Sequence, residues 1–232
     1  MKSKVVLGLS GGLDSAVLLG LYLHKGNDVL CCVFDYGSTH GPHEQKAALD
    51  VAGYYSFHFP GKVDVQFIEM GAVFGMSSSA LLAANEQAIP EGEYDKDNMK
   101  RTVVPGRNLI FASVMAGIAE SVGARAVALG IHSGDHDLYP DCTVQFAKSL
   151  DTTVYLSSGG AVCVEAPFAY HTKGDIVHKG HNFPVPAPFH LTRSCYQDSD
   201  VACGKCGTCQ ERLEAFRHVG IPDPVPYNRV NG

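Results

Sequence analysis

Between the apolar run Val5-Val6-Leu7-Gly8-Leu9 and the stretch Ala16-Val17-Leu18-Leu19 stands Ser10-Gly11-Gly12-Leu13-Asp14-Ser15. A short apolar run reads as a buried strand, and the apolar spacing that follows reads as a helix. The six residues between them must therefore form a tight turn that ends a strand and opens a helix. Such a turn aims several backbone N–H groups at one point, and the helix N-terminus adds its positive dipole end. Two adjacent glycines let the chain approach an anion closely, because no Cβ intrudes. The pattern points to a phosphate-binding turn in an α/β fold.

No Lys follows the glycines, so this is not the G-x-x-x-x-G-K-[ST] nucleotide loop, and the G-x-G-x-x-G dinucleotide pattern fails as well. The loop resembles the SGGxDS pyrophosphate loop of the N-type ATP pyrophosphatases. That resemblance implies an enzyme that adenylates its substrate and releases pyrophosphate. The plain structural reading is a strand-to-helix turn in which Ser10 or Asp14 caps the helix without any ligand.

The chain has 232 residues, 45% hydrophobic and 18% charged, which suits one compact domain spanning 1–232. Its net charge of −6 supplies no basic field for a nucleic-acid partner. No apolar run approaches the length of a membrane span, and the first residues lack a signal peptide's apolar stretch. The expected location is the cytoplasm. Of eight cysteines, Cys31 and Cys32 sit in an apolar run, while Cys142 and Cys163 are isolated. The remaining four, Cys195, Cys203, Cys206 and Cys209, crowd into fifteen residues with Gly204 and Gly207 in the short intervals. In a reducing compartment such crowding predicts a metal site, and four thiolates suit a closed, structural Zn²⁺. An iron–sulfur cluster would use the same ligands, and a redox Cys-x-x-Cys is the minor option.

Elsewhere the pattern predicts strands over 4–9, 29–34, 65–70 and 126–129, and helices over 14–24, 43–52 and 109–122. Strands alternating with helices predict a mostly parallel sheet covered on both faces, with ligands beyond the strands' carboxyl ends. The segment 75–102 is long, polar and aperiodic; it reads as a lid over the site or as a solvated excursion.

The loop and the cysteine cluster are joined by Phe34-Asp35-Tyr36-Gly37, Val104-Pro105-Gly106-Arg107-Asn108, Tyr139-Pro140-Asp141-Cys142 and Ser194-Cys195-Tyr196. In this order they resemble the 7-cyano-7-deazaguanine synthase (QueC) family over nearly the whole chain. The resemblance implies a Rossmann-like, HUP-type sheet with a C-terminal zinc segment at 194–212. It also implies that ATP, ammonia and 7-carboxy-7-deazaguanine become the 7-nitrile through adenylated acid and amide, in queuosine biosynthesis. A homodimer is a further expectation, and direct nucleic-acid contact is not expected. Ser10, Gly11, Gly12, Asp14 and Ser15, with Leu9, Asp35 and Gly130, are then expected at ATP, and Mg²⁺ at the phosphates. Asp14, Ser15, Arg107 and Lys173 are the catalytic candidates. Tyr36, Asp135, Tyr139 and Asp141 are expected at the deazaguanine, a carboxylate accepting from its N–H edge. The dense polar run His132–Asp137 supplies Asp135, and hydrogen bonding is favoured there over a metal.

One position departs from the family: Thr143 stands where Arg usually follows Tyr-Pro-Asp-Cys. That departure motivates a rival in which the activated acid passes to another amine and the reaction stops at an amide. A tRNA-modifying pyrophosphatase and a non-catalytic, zinc-stapled nucleotide sensor are two further rivals.

Overall fold

The computed structural model describes residues 3–75, 77–85, 99–135 and 139–228. Five strands form one sheet: β1 (Lys4–Gly8), β2 (Asp28–Asp35), β3 (Val63–Glu69), β4 (Ala126–Ala128) and β5 (Cys163–Glu165), in the order β3-β2-β1-β4-β5. Every pairing is parallel, with Leu7 opposite Cys31 on one side and opposite Ala128 on the other. The helices are α1 (Leu13–His24), α2 (Gly41–His58), the single turn α3 (Gly71–Phe74), α4 (Arg107–Ser121), α5 (Val144–Ser157), α6 (Lys173–His181) and α7 (Gly207–Val219).

Strand periodicity sorts the core into two layers. Val5 and Leu7, Val29, Cys31 and Val33, and Ala126 and Ala128 face one cluster with Leu18, Tyr22, Val51, Tyr55 and Phe168. Val6, Cys32 and Val127 face the other, with Ala112, Met115 and Leu150. Both faces of the sheet are covered, which is why its strands read as unbroken apolar runs. The parallel sheet, the flanking helices and the C-terminal cysteine cluster match the expected α/β class.

The order also locates the crevice. β1 continues to β2 on one side, whereas β4 joins it from the other, so the chain leaves β1's carboxyl end at a topological switch point. The turn at 10–15 occupies that point.

Two boundaries differ usefully from the sequence pattern. Helix α2 runs to His58 rather than ending near Ala52, because Tyr55 is buried against α1 and extends the packed face. By composition, Lys100–Ser121 is long and apolar enough to cross a membrane, which corrects the expectation that no run approaches that length. It is not one helix. A 3-10 turn at Lys100–Thr102 ends before Val103, and α4 starts only after Gly106 at φ 66°. The 15 residues of α4 reach about 22 Å, short of the roughly 30 Å hydrocarbon layer. Its Ala112, Met115 and Ala119 pack onto the sheet.

Half of the expected lid at 75–102, namely residue 76 and residues 86–98, lies outside the described residues, as do residues 136–138. Its described edge is anchored: Leu81 and Leu82 are buried beside Tyr36 and Phe74, and the Ala83 N–H donates to Gly37 O at 3.0 Å.

Candidate active site

The phosphate-type loop is held by its own hydroxyls. Ser10 Oγ lies 3.1 Å from Ser15 Oγ, and Ser15 Oγ donates to Gly12 O at 3.0 Å. Gly12 is the N-cap of α1, and no side chain caps it. The plain capping role for Ser10 or Asp14 is therefore not what these residues do. Gly11 has φ 74°, and an added Cβ would stand 2.6 Å from Ala48 N and 2.7 Å from Glu44 O. Both the backbone conformation and the close approach to α2 demand glycine.

A cavity of about 260 Å³ opens over this loop. Of the expected residues, Leu9, Ser10, Gly12, Asp14, Ser15, Tyr36, Arg107, Gly130, Asp135, Tyr139 and Lys173 line it. Gly11 is outside the lining and faces α2. Asp35 lies outside the lining and accepts from Gly37 N–H at 3.1 Å, as a turn residue does. Asp141 also lies outside: its Oδ2 accepts from Asn108 N–H at 2.9 Å and so secures the start of α4. Thr143 is the N-cap of α5, accepting from Phe146 N–H at 3.1 Å, and it does not reach the cavity.

Lys173 begins α6, which a Thr172–Asp175 capping box holds in place. Its Nζ is hydrogen-bonded to Glu211 and lies 3.6 Å from Asp14 Oδ2. Burial alone would lower its pKa, but Asp14, Glu211 and Asp135 outweigh that and keep the ammonium charged. Asp14 Oδ1 is buried and has no hydrogen-bond partner among the described residues. A carboxylate oxygen left without a donor beside a phosphate-type turn is a fitting ligand for Mg²⁺. His132, only 1% exposed, places Nε2 3.3 Å from Asp135 Oδ2 and 4.0 Å from Glu211 Oε1. Burial pushes the Glu211 carboxyl up, partly offset by Lys173.

The sequence reading gave no site role to Arg193, Tyr196, Thr208, Glu44 or His40, yet all five line the cavity. The Arg193 N–H donates to Gly11 O at 2.9 Å, tying the C-terminal segment to the loop. Arg193 Nε is buried without a partner among the described residues, beside the place where an anion would sit. Phe34 stacked on Phe111, with ring centroids 4.0 Å apart, gives part of the cavity wall an apolar character.

The four cysteines converge as the spacing implied. Their Sγ atoms all lie within 4.8 Å of one another, and Cys203 Sγ is 3.9 Å from Cys209 Sγ. Tetrahedral Zn–S bonds of about 2.3 Å place sulfurs about 3.8 Å apart, so the set fits zinc. Backbone N–H groups of Gln197 and Cys203 point at Cys195 Sγ, and those of Lys205 and Cys206 at Cys203 Sγ, at 3.3–3.4 Å. Such donors favour thiolates, the form that binds metal.

A parallel Rossmann-like sheet with a Ser/Gly-rich, phosphate-type turn at its switch point defines the class by fold. Two solved structures show the same fold. NMN synthetase from Francisella tularensis has a TM-score of 0.52 at 15% identity, over 94% of this chain and 77% of its own. A 4-thiouridine synthetase in complex with RNA and bound ATP has a TM-score of 0.51 at 19% identity, over 94% and 51%. The sequence model described as queuosine biosynthesis protein QueC matches residues 4–220, and the chain belongs to that family. The 7-cyano-7-deazaguanine synthase of Pseudoalteromonas translucida is 39% identical over 227 residues, covering 98% of this chain and all of the relative. That of Archaeoglobus fulgidus is 40% identical over 223 residues, covering 96% and 89%.

Proposed function

We propose that this chain is a 7-cyano-7-deazaguanine synthase, converting 7-carboxy-7-deazaguanine, ammonia and ATP to the 7-nitrile in the cytoplasm. The observation that carries the reading is the family match from residue 4 to residue 220, with the loop intact over a cavity. The carboxylate oxygen attacks the α-phosphorus and pyrophosphate leaves; ammonia then displaces AMP and gives the amide. A second ATP adenylates the amide oxygen, and loss of AMP and a proton leaves the nitrile.

The chain's own groups divide this work. Ser10, Gly12, Ser15, Lys173 and Arg193 hold the phosphates, their positive and N–H groups offsetting the charge that builds on departing pyrophosphate. Asp14 would hold Mg²⁺, which supplies further charge neutralisation there. Cys195, Cys203, Cys206 and Cys209 would hold Zn²⁺, whose closed ligand set leaves it a structural role. Lys173 keeps its proton and acts as a fixed cation, because three carboxylates surround it.

The amide-stopping rival rested on Thr143. That residue caps α5 and is outside the lining, although Cys142 beside it lines the cavity, and the product formed decides between nitrile and amide.

The test is mass spectrometry of products from ATP, Mg²⁺, ammonia and the acid. Nitrile with AMP and pyrophosphate is the expected result, and an amide that accumulates without nitrile would overturn it. Asp14→Ala should abolish turnover while leaving the bound zinc unchanged.

A further inference from the structure

The cavity lining mixes two chemistries. Gly8, Leu9, Val33, Met115 and Leu129 supply apolar surface. Tyr36, Tyr139 and Tyr196 also line it, and the Arg107 guanidinium and the Glu44 carboxylate lie within electrostatic reach of one another among them. In the sequence Glu44 reads as a charged residue in the first turn of a helix. In the fold it is a wall of the site.

Glu44 is held in place from behind. His40 Nε2 lies 3.4 Å from Glu44 Oε1, and Ser38 Oγ donates to Oε2 at 3.1 Å. His40 is itself 2% exposed and packs on the Tyr196 ring. A carboxylate oxygen accepts more than one hydrogen bond, so both oxygens keep capacity for a ligand. Arg107 donates to Tyr36 Oη at 3.4 Å and lies over its ring at 5.7 Å, with further N–H donors on the same planar fork.

We infer that Glu44 and Arg107 together read the pyrimidine-side edge of a guanine-type base. That edge presents a carbonyl oxygen, a ring N–H and an exocyclic amino group in a row. Arg107 donates to the oxygen, while Glu44 accepts from the two donors. The tyrosines supply flat apolar walls for the ring. An adenine edge offers an amino group next to a ring acceptor and lacks the second donor, so the pair selects against it. The inference rests on the proposed reaction and deepens it: Glu44 takes the role that the sequence suggested for Asp135 or Asp141.

Glu44→Gln tests this, because the amide keeps the size of the side chain but sets a donor against a donor. The readout is kcat/KM for the guanine-type acid and for its 2-deamino counterpart, with ATP saturating. Wild type should prefer the 2-amino acid by roughly 10²-fold or more, the penalty for leaving a buried polar group unpaired. In Glu44→Gln that ratio should fall below about tenfold, with the KM for ATP within about twofold of wild type. A ratio unchanged from wild type, or a loss that appears in the KM for ATP instead, overturns the inference. Unchanged zinc content checks the fold of the variant. Calorimetric binding of the two acids to wild type needs no variant, and equal affinities would also overturn the inference. Selective binding without product would sink the reaction assignment and leave the base-reading pair standing.

Discussion

Arg212 offers the most quantitative test of how the cysteine segment is built into the fold. It is 1% exposed, and its guanidinium grips Asp223 through Nε at 2.8 Å and Nη2 at 3.0 Å. The same group donates to Thr192 Oγ1 at 2.7 Å and to Phe189 O at 3.0 Å. Arg212→Met keeps much of the apolar stem but leaves the Asp223 carboxylate buried without its cation. Breaking a buried pair costs about 3–5 kcal/mol. Tyr227 Oη at 2.6 Å and Val225 N–H at 3.1 Å still serve Asp223, which sets the expectation near the lower end, about 3 kcal/mol. With a urea m-value of about 2–3 kcal/mol/M, the midpoint should drop by about 1–1.5 M. The assay is reversible urea unfolding of zinc-loaded protein. A second variant, Arg212→Met with Asp223→Leu, should regain at least about 1 kcal/mol, because no charge is then stranded. A single-variant loss below about 1 kcal/mol, or losses that simply add, would refute the clamp.

Three further outcomes follow from the same geometry. Chelation of zinc should remove ATP turnover together with the metal, and added Zn²⁺ should restore both. Turnover that survives in metal-free protein would show that the segment does not hold Arg193 and Tyr196 in the cavity. Glu211→Gln should lower kcat about tenfold to a hundredfold by loosening Lys173, at unchanged zinc content. A change under about twofold would show that Lys173 needs no such partner. Burial alone would raise the Glu44 pKa, but His40, Arg107 and Ser38 outweigh it, so the carboxyl lies below its ordinary value. A depressed folded pKa adds stability above the unfolded value near 4.5, and that stability is lost as pH falls through the folded pKa. Glu44→Gln should therefore flatten the acid limb of the stability–pH curve, and identical acid limbs would contradict the assignment.

What could be read from the sequence was what neighbours along the chain determine. The strand, turn and helix around Ser10–Ser15 are written in adjacent residues, and the cysteine spacing states its own ligand set. Buried strands of a parallel sheet also announce themselves, since Val5–Leu7 and Val29–Val33 must be apolar on both faces. The edge strand β5, Cys163–Glu165, is too short to show a period and is absent from the strands the pattern predicts. The tail at Pro222–Pro226 gave no signal at all. Its meaning is Asp223, and that depends on Arg212 eleven residues earlier being turned inward.

The site itself was half legible for the same reason. Lys173 at a helix start reads as readily as solvated surface, whereas Ser10 and Asp14 stand out because their types imply chemistry at a strand end. Arg193, Tyr196, Thr208 and Glu211 do not, because what places them is the fold of the cysteine segment. That segment sends Arg193 N–H to Gly11 O, Glu211 to Lys173, and Tyr196 and Thr208 into the cavity wall. A closed four-thiolate metal does no chemistry of its own. Its consequence lies in what it anchors: residues flanking Cys195 and Cys209 tie down the loop at 10–15 and form part of the cavity wall. The cysteine cluster is thus part of the candidate site's construction. Variants that loosen it should show up first as lost phosphate and base contacts, before the sheet itself is affected.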